Sequence, residues 1–226
     1  MAAPTSEDLD PPTTRARRAK LVDALKEKRV LTDPRVIEAF LQVPRHLFVP
    51  APLGSRAYGD HPVPIGFEQT ISQPTVVAMM TEALKLTGTE RVLEVGTGSG
   101  YQAAILSRLA CEVFSVERLA SLARTAREQL DQLCCHNVFT RVTDGYRGWA
   151  EEAPFDRIIL TAAPPEIPDA LLAQLAEGGM VVAPFGREGE QRLVRGVRRA
   201  GVIHYDDLGG VTFVPMVASA DAVLWN

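Results

Sequence analysis

The twelve residues from Arg91 to Gln102 constrain the fold of this chain more than any other stretch. A β-favouring apolar run, Val92-Leu93-Glu94-Val95, leads straight into Gly96-Thr97-Gly98-Ser99-Gly100. An apolar helical pattern follows, through Ala103, Ala104, Leu106 and Leu109. That is a buried strand, a tight turn and a helix N-terminus, the opening unit of a nucleotide-binding α/β sheet. Glycines at alternate positions carry no Cβ, so the backbone can turn sharply and come close to a ligand.

The remainder of the chain repeats the same grammar. Strands are expected at Glu112–Val116, Val138–Val142, Asp156–Leu160 and Met180–Pro184, with helices between them. The helix after the second strand carries Leu119, Leu122, Ala126, Leu130 and Leu133, and another is expected over 168–176, closed by Gly178-Gly179. Strands alternating with helices imply a doubly wound, mostly parallel, Rossmann-like α/β sheet with helices on both faces. Two last β stretches, about 191–198 and 202–217, lack an intervening helix, so at least one should run antiparallel.

Ahead of the sheet lies a helical appendage. Residues 1–13 are rich in Pro, Ser, Thr and acids and are expected to form a disordered leader. A helical pattern starts near Thr14, with Leu21, Val22 and Leu25 on one face. Asp33-Pro34 suits an N-cap and a first helical position, and Pro44 ends that second helix. Residues 44–73 hold many prolines and glycines yet keep apolar anchors, as functional irregular segments do. They lead to Thr70-Ile71-Ser72-Gln73 at the entrance of a helix begun by Pro74, where Ser72 could also be a simple capping group. The chain therefore divides into a leader (1–13) and one domain (14–226), itself made of helices and a substrate loop (14–73) and a cofactor-binding sheet region (74–226).

Composition excludes several classes. With 226 residues and 46% hydrophobic residues, the chain can bury a full core as one α/β domain. The net charge of -4 recruits no nucleic acid, and the basic clusters near Arg17 and Arg198 lack interleaved aromatics. No apolar run approaches the ~20 residues needed to span a bilayer, and there is no signal-peptide core. Three cysteines (Cys111, Cys134, Cys135) and four scattered histidines fit no metal pattern, which suits a reducing cytoplasm and no metal.

The glycine turn departs from a dinucleotide fingerprint, since Tyr101 stands where the third glycine would be, and it lacks the Gly-Lys-Ser/Thr of a phosphate loop. Acids stand instead toward the carboxyl ends of three successive strands: Glu94, Glu117 and Asp144. Glu117 is placed to accept both hydroxyls of a ribose. Asp144-Gly145 can bond an adenine amine and let the backbone approach the ring. Helix capping would explain each acid alone, but not the run. A ligand with a ribose, an adenine and a positive charge fits, and S-adenosylmethionine has all three. After the fourth strand, Thr161-Ala162-Ala163-Pro164-Pro165 lacks the Asn or Asp that amine methylation uses, which leaves an acceptor already nucleophilic, such as a carboxylate.

With those residues assembled, the chain resembles the protein-L-isoaspartate (D-aspartate) O-methyltransferases of bacterial type. The resemblance runs over roughly residues 17–217. It is carried by Val43-Pro44-Arg45-His46-Leu47-Phe48-Val49, Pro64-Ile65-Gly66, Gln69-Thr70-Ile71-Ser72-Gln73-Pro74, Val92 to Gln102, Ser115-Val116-Glu117-Arg118, Thr161 to Pro168 and Phe213-Val214-Pro215. It implies a methyltransferase fold and methyl transfer from S-adenosylmethionine to the free carboxylate of L-isoaspartyl and D-aspartyl residues, with S-adenosylhomocysteine as product. Repair of damaged proteins through a succinimide would follow.

The resemblance also implies site residues. Ser72 is the active-site serine and Thr70 lies beside it. Ile71, Glu94, Gly96, Thr97, Gly98, Gly100, Glu117, Asp144 and Gly145 hold the cofactor. Val214 presents backbone to the substrate. The partners implied are isoaspartyl peptides and unfolded or aged proteins, met by a cytoplasmic monomer with no nucleic acid, membrane or metal. An aspartyl carboxylate, with a pKa near ~4, is ionised at neutral pH and needs no strong base. Glu68, Thr75, Thr212 and Met216 depart from the family's usual residues. Glu68, Thr75 and Thr212 keep open a methyltransferase of different substrate; a binding module without turnover is the non-enzyme alternative.

Overall fold

The computed structural model describes residues 9–218. The leader's residues 1–8 lie outside that range. Residues 9–13 are held in place: Asp10 pairs with Arg18 at 2.7 Å, and His46 Nε2 lies 3.0 Å from the Leu9 carbonyl oxygen. Helix α1 (Pro12–Glu27) therefore starts two residues earlier than its apolar stripe suggests, with proline in its first turn. Helix α2 (Pro34–Gln42) follows, capped as expected by Asp33, whose carboxylate accepts from the Arg35 N–H at 2.8 Å.

The irregular segment contains more order than its prolines suggest. Two 3-10 turns (Arg45–Phe48 and Ala51–Arg56) precede a small hairpin, β1 (Val63–Gly66) and β2 (Gln69–Ile71). Its two-residue loop is Phe67-Glu68, both with positive φ (51° and 58°). Such loops usually carry Asn-Gly or Asp-Gly, so the hairpin had no turn signature in the sequence. This left-handed backbone at Glu68 is one that glycine adopts more easily.

Helix α3 (Pro74–Ala83) leads into the sheet: β3 (Arg91–Val95), α4 (Tyr101–Leu106), β4 (Glu112–Glu117), α5 (Ala120–Gln132), β5 (Val138–Val142), β6 (Phe155–Leu160), α6 (Asp169–Ala173), β7 (Leu175–Phe185), β8 (Arg192–Arg199) and β9 (Val202–Gly210). The strand order is β5-β4-β3-β6-β7-β8-β9. The first five pair in parallel and the last two antiparallel, so the sheet is mostly parallel and doubly wound.

Two boundaries differ from expectation. Helix α6 ends at Ala173 rather than 176, because β7 already starts at Leu175. An irregular register against β6 and a left-handed Gly178 (φ 77°) let Glu177 reach the β8–β9 turn, where it accepts from the Ala200 and Gly201 N–H groups. Strand β9 stops at Gly210 instead of running to 217, since Gly209 sits at φ 116° and Pro215 can give no ladder hydrogen bond. Residues 211–217 turn back across the sheet end instead.

Alternation along the strands sorts the core onto two faces. Val92, Val113, Ile159 and Val182 pack under the helical appendage, α3 and α4. Leu93, Phe114, Ile158 and Val181 pack toward α6 and the turns beside it. Between β3 and β6 the connections leave in opposite directions, which opens a crevice at the carboxyl ends of the strands.

Candidate active site

A cleft open to solvent fills that crevice. One wall is the glycine turn. Gly96, Gly98 and Gly100 have φ of 101°, 52° and 88°, all left-handed. The turn is tied down by Gly96 N–H and Thr97 N–H, which both donate to the Val116 carbonyl oxygen (2.8 and 3.2 Å). Thr161 Oγ1 donates to the Gly96 carbonyl oxygen at 2.5 Å. A Cβ on Gly96 would stand 2.3 Å from that hydroxyl oxygen, so only glycine fits there. Gly100 serves another purpose. Its Cβ would come within 3.1 Å of Ala126 Cβ, so it lets the start of α4 pack on α5 and does not line the cleft.

The three acids divide in the same way. Glu117 lines the cleft. Its carboxylate is oriented by the Gly98 N–H (2.9 Å) and the Leu119 N–H (3.0 Å), one on each oxygen, and each oxygen can accept a further bond. Asp144 stands one residue back: it accepts from the Tyr146 N–H at 3.0 Å and so shapes the turn that presents Gly145 to the cleft. Glu94 is fully buried behind the turn. Ser115 Oγ donates to its Oε2, Thr97 Oγ1 lies 2.6 Å from the same serine oxygen, and Oε1 has no hydrogen-bond partner. Burial pushes the Glu94 carboxyl up to about 8, with a smaller push from Glu117. The sequence reading placed three acids at the ligand. Only Glu117 lines the cleft, and a cation, Arg118, lines it beside Glu117.

The facing wall is the hairpin and the entrance of α3. Gln69, Thr70, Ile71 and Ser72 all line the cleft, as do Val77 and Met80 from α3. This wall is clamped from outside. Asp60 accepts from the Thr75 N–H (2.9 Å) and from Thr75 Oγ1 (2.7 Å), so Thr75 anchors the helix entrance through its hydroxyl. Arg45 Nη2 donates to the Ser72 carbonyl oxygen at 2.7 Å. Gln102 on α4 donates to Thr81 Oγ1 at 3.0 Å and locks α3 to the glycine-turn helix.

The third wall is the returning segment 211–217. Ala163 N–H donates to the Val214 carbonyl oxygen (2.9 Å) and Met216 N–H to the Ala163 carbonyl oxygen (2.8 Å), so this segment bridges to the end of β6 in parallel. The side chain of Gln191 brackets Phe213: Oε1 accepts from the Phe213 N–H at 2.6 Å and Nε2 donates to its carbonyl oxygen at 3.0 Å. Val214, Pro215 and Met216 thereby line the cleft.

The cleft thus unites Thr70, Ile71, Ser72, Gly96, Thr97, Gly98, Glu117, Gly145 and Val214, while Glu94, Gly100 and Asp144 stand behind it. Tyr101 and Thr161 also line it, without having been singled out as site residues. Tyr101 stood where a fingerprint glycine was expected, and Thr161 lay inside a motif read for the acceptor it lacks and for resemblance. The lining suits S-adenosylmethionine: it offers one carboxylate at the end of β4, close backbone at Gly96 and Gly145, and apolar side chains for a ring. Among the described residues no cluster of three or more His, Cys, Asp or Glu could hold a metal ion.

Comparison with known proteins agrees with this geometry. Residues 16–221 match the family described as protein-L-isoaspartate(D-aspartate) O-methyltransferase. The protein-L-isoaspartate O-methyltransferase of Halorhodospira halophila is 54% identical over 206 residues, covering 91% of this chain and 93% of that protein. The one from Desulfosudis oleivorans is 52% identical over 201 residues, covering 89% and 91%. A solved protein-L-isoaspartate O-methyltransferase superposes with a TM-score of 0.79 at 31% identity, over 88% of this chain and 65% of that one. A Plasmodium falciparum chain described as such a methyltransferase, solved in complex with S-adenosyl-L-homocysteine, superposes with a TM-score of 0.76 at 26% identity, over 88% and 97%.

Proposed function

The chain belongs to the protein-L-isoaspartate (D-aspartate) O-methyltransferase family, and from that premise we propose how its cleft divides the work. The protein is an S-adenosylmethionine-dependent methyltransferase that acts on isoaspartyl residues of proteins and peptides. The observation that carries the proposal is the meeting of Thr70-Ile71-Ser72 and the glycine turn across one cleft.

On the cofactor side, Gly96, Thr97 and Gly98 bring backbone against the ligand, Glu117 takes the ribose hydroxyls and Gly145 lies beside the adenine. Glu94, Gly100 and Asp144 act indirectly, by holding the turns that do the binding. When bound, S-adenosylmethionine supplies a methyl group made electrophilic by its sulfonium. On the acceptor side, the Ser72 hydroxyl donates a hydrogen bond to the substrate carboxylate and fixes its orientation, with Thr70 beside it and the Val214 backbone holding the peptide. Among the described residues no histidine lines the cleft, so Ser72 has no base to make it a nucleophile. The carboxylate is already ionised, and the protein's task is alignment of the reacting atoms to ~3–3.5 Å and exclusion of water.

The D-aspartyl substrate, the succinimide route of repair and a preference for unfolded or aged proteins belong to the same proposal, as do a monomeric state and a cytoplasmic location without nucleic acid or membrane partners. No described helix is long and apolar enough to cross a membrane. The test is methylation of isoaspartyl peptides beside their normal-aspartate twins, with labelled S-adenosylmethionine. Label confined to the isoaspartyl peptide is expected; equal labelling of both, or of neither, refutes the reading.

A further inference from the structure

Arg45 lies in the motif Pro44-Arg45-His46, yet nothing in the proposed chemistry uses it. Its side chain is completely buried. Nε donates to the Ala57 carbonyl oxygen at 2.9 Å and Nη2 to the Ser72 carbonyl oxygen at 2.7 Å. The guanidinium carbon stands 4.9 Å from the centre of the Tyr101 ring, and Tyr101 and Ser72 both line the cleft. Nη1 has no hydrogen-bond partner.

No carboxylate among the described residues lies within ion-pair distance of this cation. Asp60, the acid nearest in effect, is committed to Lys28 at 2.6 Å and to Thr75. The contrast with Arg18 is direct: that guanidinium is nearly as buried, and Asp10 pairs with it through both oxygens (3.0 and 2.7 Å). An unpaired buried charge is expensive, and a neutral side chain of similar shape would usually be more stable. Burial lowers the Arg45 guanidinium only to about 10, so it stays charged at neutral pH.

We propose that Arg45 is a positioning residue whose unpaired charge, set behind Ser72, selects the substrate's carboxylate: the anion to be methylated is the counter-charge that the fold itself withholds. The inference rests on the reading of Ser72 as the group that orients that carboxylate. The guanidinium is hydrogen-bonded to the Ser72 carbonyl oxygen, so it stands within one residue's breadth of the Ser72 hydroxyl. At that remove the buried surroundings screen its attraction for an anion held at Ser72 poorly. An attraction acting from behind the wall is felt by the bound carboxylate and by the partly methylated one nearly alike. Its loss should therefore raise KM and change kcat little.

The experiment uses an isoaspartyl peptide and the same peptide with its free α-carboxylate converted to a carboxamide, the latter as a competitive inhibitor in the presence of S-adenosylhomocysteine. The wild type should bind the carboxylate at least about tenfold more tightly, a free-energy difference of ~1.4 kcal/mol. Equal binding of the two peptides overturns the proposal without any variant. Arg45→Lys keeps the charge and should retain most of that preference. Arg45→Gln keeps a donor for the Ser72 carbonyl but no charge; it should lose the preference, raise KM about tenfold and leave kcat within about threefold. A purely structural clamp would instead weaken both peptides alike in both variants, and an unchanged preference in Arg45→Gln overturns the proposal. A wild type that methylates no isoaspartyl peptide would refute the underlying function, a different outcome from a methylating enzyme whose preference ignores Arg45.

Discussion

Glu94 offers the sharpest physical test of the cofactor wall. Its carboxyl is fully buried, bonded through one oxygen to Ser115 and unpartnered at the other. Its pKa is raised from 4.5 to about 8, first by burial. The folded chain therefore holds this proton at pH values where the unfolded chain has released it. Stability from this group is full below about pH 4.5, falls as pH rises, and levels off above about pH 8. Between pH 6 and pH 8 the loss is about 2 kcal/mol. A chain of this size loses ~2–4 °C in Tm per kcal/mol, which makes the change about 4–8 °C. Glu94→Gln has the shape of the protonated acid and cannot titrate. Thermal unfolding of both proteins without cofactor, from pH 6 to pH 8, should show the Gln variant gaining about 4–8 °C on the wild type over that range. A difference that stays constant, or one that moves in favour of the wild type, would mean that Glu94 is already ionised in the fold and that its unpartnered oxygen has another explanation.

Two further substitutions test the other walls. Gly96→Ala should cost about 2–5 kcal/mol, from the left-handed backbone together with the collision with Thr161 Oγ1. Gly178→Ala, with φ 77° and nothing within 4 Å, should cost only about 1–2 kcal/mol, so equal losses in denaturant unfolding would refute the steric part. Ser72→Ala should slow methyl transfer by about 10- to 100-fold through loss of one orienting hydrogen bond, with S-adenosylhomocysteine affinity in calorimetry unchanged within about threefold. Lost cofactor affinity with unchanged turnover would move Ser72 to the other side of the cleft.

The sheet was legible in the sequence because its signals are local. Val92 to Val95, Val113 to Val116 and Ile158 to Leu160 are apolar apart from the buried Glu94 and Ser115, close to the continuous runs that strands buried on both faces show. The Asp33 cap and the prolines that open helices fall where short-range rules put them. Three things were not legible, each for a physical reason. The β1–β2 hairpin turns through Phe67-Glu68, whose side chains advertise no turn. The path of 211–217 is set by Gln191, some 22 residues away along the chain, through a bracket on Phe213 that no pattern encodes. The three acids looked alike in sequence because each sits near a strand end. Register puts Glu94 and Glu117 on the same face of the sheet, and depth alone separates Glu117, which lines the cleft, from Glu94, which lies behind the glycine turn.

The position of Glu94 also changes how the electrostatics of such a site should be weighed. Counting acids near a glycine turn suggested a strongly negative cleft, complementary to a sulfonium. The cleft in fact shows Glu117 and Arg118 side by side, with Glu94 buried behind the turn, where burial favours its neutral form, and a buried guanidinium behind the opposite wall. A reaction between a cation and an anion does not benefit from a site that holds only one of them well. In the proposed division, one wall offers a carboxylate and close backbone to the cationic partner, and the other offers a serine backed by Arg45 to the anionic one. The helical appendage is what makes the second wall possible: Arg45 and Asp60 both belong to the segment between α2 and the hairpin, and they fasten Ser72 and Thr75. Phe40 and Phe48 then pack against Tyr101, at 6.3 and 5.6 Å between ring centres, so the same segment is keyed to the first residue after the glycine turn. On the proposed assignment, the two halves of the reaction are held in register by packing between the glycine-turn wall and the Ser72 wall.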